Sequence, residues 1–254
     1  MSTAVAPTFH SRQYARPLHF PESDGKPMAE NDKHRKQMIA LLNALEFLFI
    51  DDPRTYVTGN ILVHFRDDTG EWKFLAPDVM VVKGVEKKDR TSYVIDDEGK
   101  APDLIIELVS PSTKVEDFGN KPVVYSGWGV KEYFLFDPTS EVSSGLINGF
   151  RLKGSDYDYA PMLGTRLHSE VLDLDLVVKK GKLRFYNPRT GQYFLTHEES
   201  EAARRAAERK AATAEAKAAT AEANAARAEA KAATAETEAA RLREELVKLR
   251  GQKS

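Results

Sequence analysis

From Asn31 the apolar residues Met38, Leu41, Leu42, Leu45 and Leu48 or Phe49 recur every three or four positions, until Pro53 stops the pattern. That spacing predicts an amphipathic helix with Asn31 as its cap. Short β-branched and aromatic runs follow at Tyr56–Phe65, Phe74–Val82, Leu104–Val109 and Glu132–Phe136, each bounded by Gly, Pro or Asp, and read as strands. Between the last two, Ser110 to Trp128 opens on the capping-type Ser112 or Thr113 and closes on Gly127 and Gly129, which predicts a second helix. Further strands are expected at Leu146–Leu152, Asp173–Val178 and Leu183–Tyr186, the last two joined by a tight turn over Lys179 to Lys182 with Gly181 in it. The predicted order is helix, three-strand meander, helix, strand, then an additional β-hairpin.

The two ends of the chain depart from this pattern. Residues 1–28 carry Pro7, Pro17, Pro21 and Pro27 without periodicity and read as an extended leader held by a few aromatics. At the other end no Gly or Pro interrupts Glu198 to Arg250. Ala211, Ala218, Ala225, Ala232, Ala239 and Leu246 fall every seven residues, and Ala214, Ala221, Ala228, Ala235, Leu242 and Leu249 fall three later, as the a and d positions of a coiled coil. Alanine gives high helix propensity but little apolar area, so pairing is tightened only by the terminal leucines. The division is therefore a leader at 1–28, a folded body at 29–196 and an alanine-rich heptad helix at 197–254, with a homodimer through that helix as the expected assembly.

Composition narrows the chemistry. The 254 residues carry no cysteine, which removes disulfide scaffolds, thiolate catalysis, Cys-ligated zinc and iron–sulfur clusters. From Glu201 onward there are 12 Lys and Arg against 9 Asp and Glu, which leaves 25 against 30 for the rest, a mildly acidic body. A nucleic-acid partner would therefore be gripped locally rather than by a broad basic field. No stretch reads as a signal sequence or as a bilayer span, and the expected compartment is the cytoplasm.

Two carboxylates stand inside apolar strands: Asp78 in Ala76–Val82 and Glu107 in Asp103–Val109. A charge in such a run needs a partner or a cation. On neighbouring strands the pair could converge on one oxygen-lined point suited to Mg²⁺, but periodicity alone favours the plainer reading in which each ends on the solvent face of its strand. Asp103 follows a proline and sits four residues before Glu107, on the same strand face, where it supports the site or starts the strand at the surface. Ser110, Ser112 and Thr113 fit capping better than phosphate contact, and Tyr125 and Tyr133 read as core residues with satisfied hydroxyls. His34 alone makes no zinc site.

The order of elements, with Pro-Asp on one strand and an acid inside the next, resembles the PD-(D/E)XK nuclease superfamily. Gly25–Glu30, Gly59-Asn60, Ala76-Pro77-Asp78, Glu107–Thr113 and Gly129–Pro138 resemble the Uma-type family of restriction endonucleases over roughly residues 20 to 195. The resemblance implies an α/β restriction-endonuclease-like body acting as a Mg²⁺-dependent (or Mn²⁺-dependent) endonuclease on DNA. Asp78 and Glu107 would be the metal ligands and Glu30 an auxiliary acid at the start of the first helix. The superfamily's lysine two residues after the second acid is here Val109, so the role passes to Lys121, whose neighbour Pro122 implies a helix start at that point. A catalytically silent nuclease fold that binds or assembles through its coiled coil is the competing reading, and another phosphodiester or small-molecule substrate on the same site is a third.

Overall fold

The computed structural model describes residues 15–23, 25, 31–139, 141–142, 147–160, 162–163 and 165–251. They fall into two compact units, residues 1–197 and 198–254.

In the first unit α1 (Asp32–Leu48) begins where the Asn31 side chain accepts the His34 amide, and it buries Met38, Leu41 and Leu45 on one face. Then come β1 (Thr55–Thr58), β2 (Val63–Arg66), β3 (Trp72–Leu75), β4 (Val79–Lys83), β5 (Tyr93–Val94), the single turn α2 (Ile95–Glu98) and β6 (Leu104–Leu108). A π-helical turn (Glu116–Asn120) runs into α3 (Lys121–Trp128), followed by β7 (Glu132–Phe136), β8 (Ile147–Lys153) and β9 (Asp156–Tyr159). Last are β10 (Met162–Leu163), β11 (Arg166–Ser169), β12 (Leu174–Lys179), β13 (Lys182–Asn187) and β14 (Gln192–Tyr193). The main sheet runs β1-β4-β6-β7-β8-β9, with β6 and β7 parallel and the other pairs antiparallel; β3-β2-β5 form a small sheet and β10 to β14 an antiparallel one.

The alternation of side chains along β4 and β6 divides the interior. Val79, Val81, Leu104, Ile106 and Leu108 pack toward α1 and the five-stranded sheet; Met80, Val82, Ile105 and Val109 join Tyr125, Tyr133 and Leu135 on the other face. Strands buried on both faces read as continuous apolar runs, which is why an acid among them stands out.

Several expectations are corrected. The run Tyr56–Phe65 is two strands in different sheets, because Asn60 takes a left-handed conformation (φ 54°) and turns the chain. Phe74–Val82 is likewise split, at Ala76-Pro77, where proline cannot serve the ladder. The meander β1-β4-β6 therefore carries the small sheet as an insertion. Pro122 stands in the first turn of α3, as expected, but helical backbone begins before it: it runs from Lys114 through the π turn, and the Lys121 amide bonds to Glu116 O, five residues back. The wider π turn accommodates a residue that has no amide to give. In the leader, Phe20 packs against His64 and Trp72, while residues 1–14, 24 and 26–30 lie outside the described residues.

The hairpin of β12 and β13 turns on Lys180 and Gly181, both at positive φ (53° and 70°), the two-residue turn that matches strand twist. In the second unit α4 (His197–Gly251) is a helix of 55 residues, about 80 Å long at 1.5 Å per residue. Its Thr213, Thr220, Thr234 and Thr237 hydroxyls donate to the carbonyl four residues earlier, so these side chains satisfy themselves on their own helix. No described helix is long and apolar enough to cross a membrane.

Candidate active site

Asp78 is placed by backbone fit. A Cβ on Gly59 would come within 1.9 Å of the Asp78 carbonyl oxygen, so only glycine lets β1 leave the sheet there. Next to it the Asn60 amide donates to Pro77 O at 2.8 Å. These contacts fix the turn from which Asp78 enters β4. Its Oδ2 accepts the Leu108 amide at 2.7 Å, and its own amide donates to Glu107 Oε2 at 3.2 Å. The two acids are thus tied across neighbouring strands, Glu107 by the Asp78 amide and Asp78 by the amide of Leu108, the residue after Glu107.

From the helical side, Asp117, Lys121 and Tyr125 recur every four residues and all approach Glu107 or one another. Lys121 Nζ lies 3.0 Å from Glu107 Oε1 and 2.7 Å from Asp117 Oδ1. The Tyr125 hydroxyl donates to Glu107 Oε1 at 2.7 Å, and the Tyr133 hydroxyl donates to Asp117 O at 2.8 Å. From α1, His34 Nε2 sits 2.9 Å from Leu108 O and 3.3 Å from Asp78 Oδ2. Ser110 and Thr113 exchange side chain-to-backbone bonds at the turn leading to the helix, where each caps the other's amide.

Glu107 is only 1% exposed, whereas the Asp78 side chain keeps 15%, so solvent reaches the cluster past Asp78. Burial pushes the Glu107 carboxyl up to about 8; Lys121 opposes the rise, and the charges of Asp78 and Asp117 add to it. Burial raises Asp117 in the same way. For Lys121 burial alone favours the neutral amine, but Glu107 and Asp117 outweigh it and hold the ammonium charged. Glu107 and Asp117 share Lys121, while Asp78 adjoins Glu107 and has His34 Nε2 at 3.3 Å.

The structure brings Asp78, Glu107 and Lys121 together and adds Asp117 and Tyr125. Asp117 escapes a reading of sequence because an acid four residues before a lysine is the ordinary pattern of a solvated helix face. The signal was the register: 117, 121 and 125 share one face, and the last of them is an apolar-side tyrosine. Glu30 lies outside the described residues. Asp103 does not join the site; it sits at the far end of β6 with Lys100 and Lys131. Val109, in the position of the missing lysine, is buried among apolar side chains.

The donor set suits a hard divalent cation. Mg²⁺ takes one or two carboxylates and keeps its waters; among the described residues no group of three or more His, Cys, Asp or Glu side chains is placed to hold a metal ion, so the fit rests on Asp78 and Glu107 alone. A cation would also offset the charges of Asp78 and Asp117, which add to the burial that raises Glu107.

A mixed sheet presenting two acids from adjacent strands, with a lysine from the following helix, is a restriction-endonuclease-like arrangement. The chain belongs to the Uma2 family, described as "Putative restriction endonuclease", whose model matches residues 9–192. Among solved structures it is similar to "a putative nuclease belonging to DUF820" from Anabaena variabilis ATCC 29413, with 14% identity and a TM-score of 0.46 over 60% of this chain and 81% of that one. No curated protein matches the chain.

Proposed function

We propose that the protein is a divalent-cation-dependent endonuclease that hydrolyses phosphodiester bonds of DNA, with Mg²⁺ as its ion and Mn²⁺ as a substitute. The observation that carries this reading is the setting of Glu107: an acid whose burial, with Asp78 and Asp117 near it, raises its pKa, tied to Asp78 and to Lys121, and opened to solvent by the 15% exposed side chain of Asp78. Family membership supports the same class.

In this reading Asp78 and Glu107 would hold the ion, which would supply Lewis acidity toward the scissile phosphate and activate water for attack. Asp117 keeps Lys121 aimed at the acids, and the ammonium offsets charge that develops on the phosphate. Tyr125 fixes the Glu107 carboxyl in one orientation, and Glu30 is an auxiliary acid. The acidic body restricts DNA to local contacts at this opening.

The second reading, a silent nuclease fold, is favoured by Val109 standing where the superfamily has its lysine and by how little of Glu107 is exposed. One assay separates the two. Supercoiled plasmid and single-stranded DNA are incubated with the full chain, with Mg²⁺, Mn²⁺ or neither, beside Asp78→Ala checked for folding by circular dichroism. The proposal predicts cation-dependent cutting and a loss of about a hundredfold or more in the variant. Equal activity in both proteins rejects it.

A further inference from the structure

Over Lys210 to Glu236, most charged residues of α4 are spaced in a way that serves no ion pair within one helix. With the alanines and leucines in a and d, the e positions are Glu215, Glu222, Glu229, Glu236 and Arg243, and the g positions before them are Lys210, Lys217, Asn224, Lys231 and Glu238. Charges help a single helix when they lie three or four residues apart. At those distances Lys217 meets Thr213, Ala214, Thr220 and Ala221, and Glu222 meets Ala218, Ala219, Ala225 and Ala226. Lys210, Glu215, Glu229 and Glu236 also have only alanine or threonine there. The ion pairs seen along α4 among the described residues, Arg204 with Glu201 and Glu208, lie before this stretch.

Opposite charges recur instead at a separation of five: Lys210 and Glu215, Lys217 and Glu222, Lys231 and Glu236. Within one helix that step places the two side chains on opposite flanks of the seam. Between two parallel helices in register it is the contact from g of one to the next e of the other. Where the sign inverts it inverts on both sides, since acidic Glu238 is followed five residues on by basic Arg243. Leu242 and Leu246, the largest seam side chains described, are 54% and 56% exposed in the single chain.

We propose that α4 pairs with α4 of a second copy of this chain as a parallel, in-register, two-stranded coiled coil. Four of the five g-to-e contacts then join opposite charges, the fifth joins Asn224 to Glu229, and none joins like charges. Each leucine layer also meets its own copy. Antiparallel pairing sets e against e and g against g, so registers that overlap the alanine heptads place Glu beside Glu at one or more layers, some of them with Lys beside Lys as well, and they part the leucines. Alanine layers let two helices approach closely but are too small to fill the centre of three. Parallel pairing brings both His197 ends to one end of the rod. The inference does not rest on the nuclease reading and survives its failure.

Sedimentation equilibrium of the full chain should give twice 28.4 kDa. The chain has no cysteine, so Ala218→Cys and Ala239→Cys, made one at a time, each report whether a residue meets its own copy. Under mild oxidation with copper-phenanthroline both should form disulfide-linked dimers. Changing Glu215, Glu222 and Glu236 together to Lys keeps helix propensity and should weaken dimerisation about tenfold or more. Mixing that variant with one carrying Glu at 210, 217 and 231 should restore a mixed dimer. A monomer or trimer mass for the native chain, failure of either cysteine to link to itself, or undiminished pairing of the charge variant would overturn the proposal.

Discussion

The two ends of β6 each bury an acid, four residues apart on one strand, and treat it in opposite ways. Asp103 meets Lys131 at 2.9 Å and Lys100 at 3.1 Å and accepts the Lys83 amide at 2.7 Å. Burial works against its charged form, but Lys131, the Lys83 amide and Lys100 outweigh it, and its pKa falls below the ordinary aspartate value. Glu107 shares Lys121 with Asp117, has Asp78 beside it, and is pushed up to about 8. A buried carboxylate with enough cations is part of the framework, whereas one with too few stores a demand for positive charge. That difference is the ground on which we propose the Glu107 end as the site.

The sharpest way to break this comparison is to neutralise each acid without changing its shape. Asp103→Asn should cost about 2 to 3 kcal/mol of unfolding free energy, because the lysines and the Lys83 amide lose a charged acceptor. Glu107→Gln, in metal-free buffer above neutral pH, should cost nothing or stabilise slightly. Urea unfolding of both variants checks the pair, and equal destabilisation would erase the distinction drawn between the two ends.

A further effect follows from proton linkage. Folding raises the Glu107 pKa from 4.5 to about 8, so between those values the folded state holds a proton that the unfolded chain has released. Glu107 therefore makes stability fall as pH rises through that window, with a slope of up to about 1.4 kcal/mol per pH unit. Asp103 acts in the other direction: its depressed pKa contributes stability above the ordinary aspartate range that is lost as pH falls toward the folded value. Denaturation in metal-free buffer from pH 5 to 8, native against Glu107→Gln, should show the slope in the native chain and its reduction in the variant. Identical slopes would remove Glu107 as the cause.

Much of the scaffold was legible in sequence because local chemistry decides it. The three- and four-residue spacing of α1 and the Lys180-Gly181 turn between β12 and β13 each have a near-neighbour cause. The breaks at Asn60 and Pro77 were not legible, since β-branched residues continue on both sides and the sheet to which each piece belongs is a tertiary choice. At the site the pattern picked out Asp78 and Glu107 as acids in apolar strands, and the family resemblance supplied Lys121. What distinguishes Asp103 from Glu107 could not be read, because their partners come from residues 83, 100 and 131 in one case and 78, 117, 121 and 125 in the other. Asp117 stayed hidden for the same reason: its burial depends on the sheet that α3 covers.

The account turns on Glu107 giving up its proton to a divalent cation. Calorimetric titration of Mg²⁺ into the full chain at pH 7, in buffers of different ionisation enthalpy, measures binding and proton release together. With the Glu107 pKa near 8, binding should release close to one proton per site and should vanish in Asp78→Asn and Glu107→Gln. Absence of binding in the native chain, binding without proton release, or equal binding by the variants would contradict it.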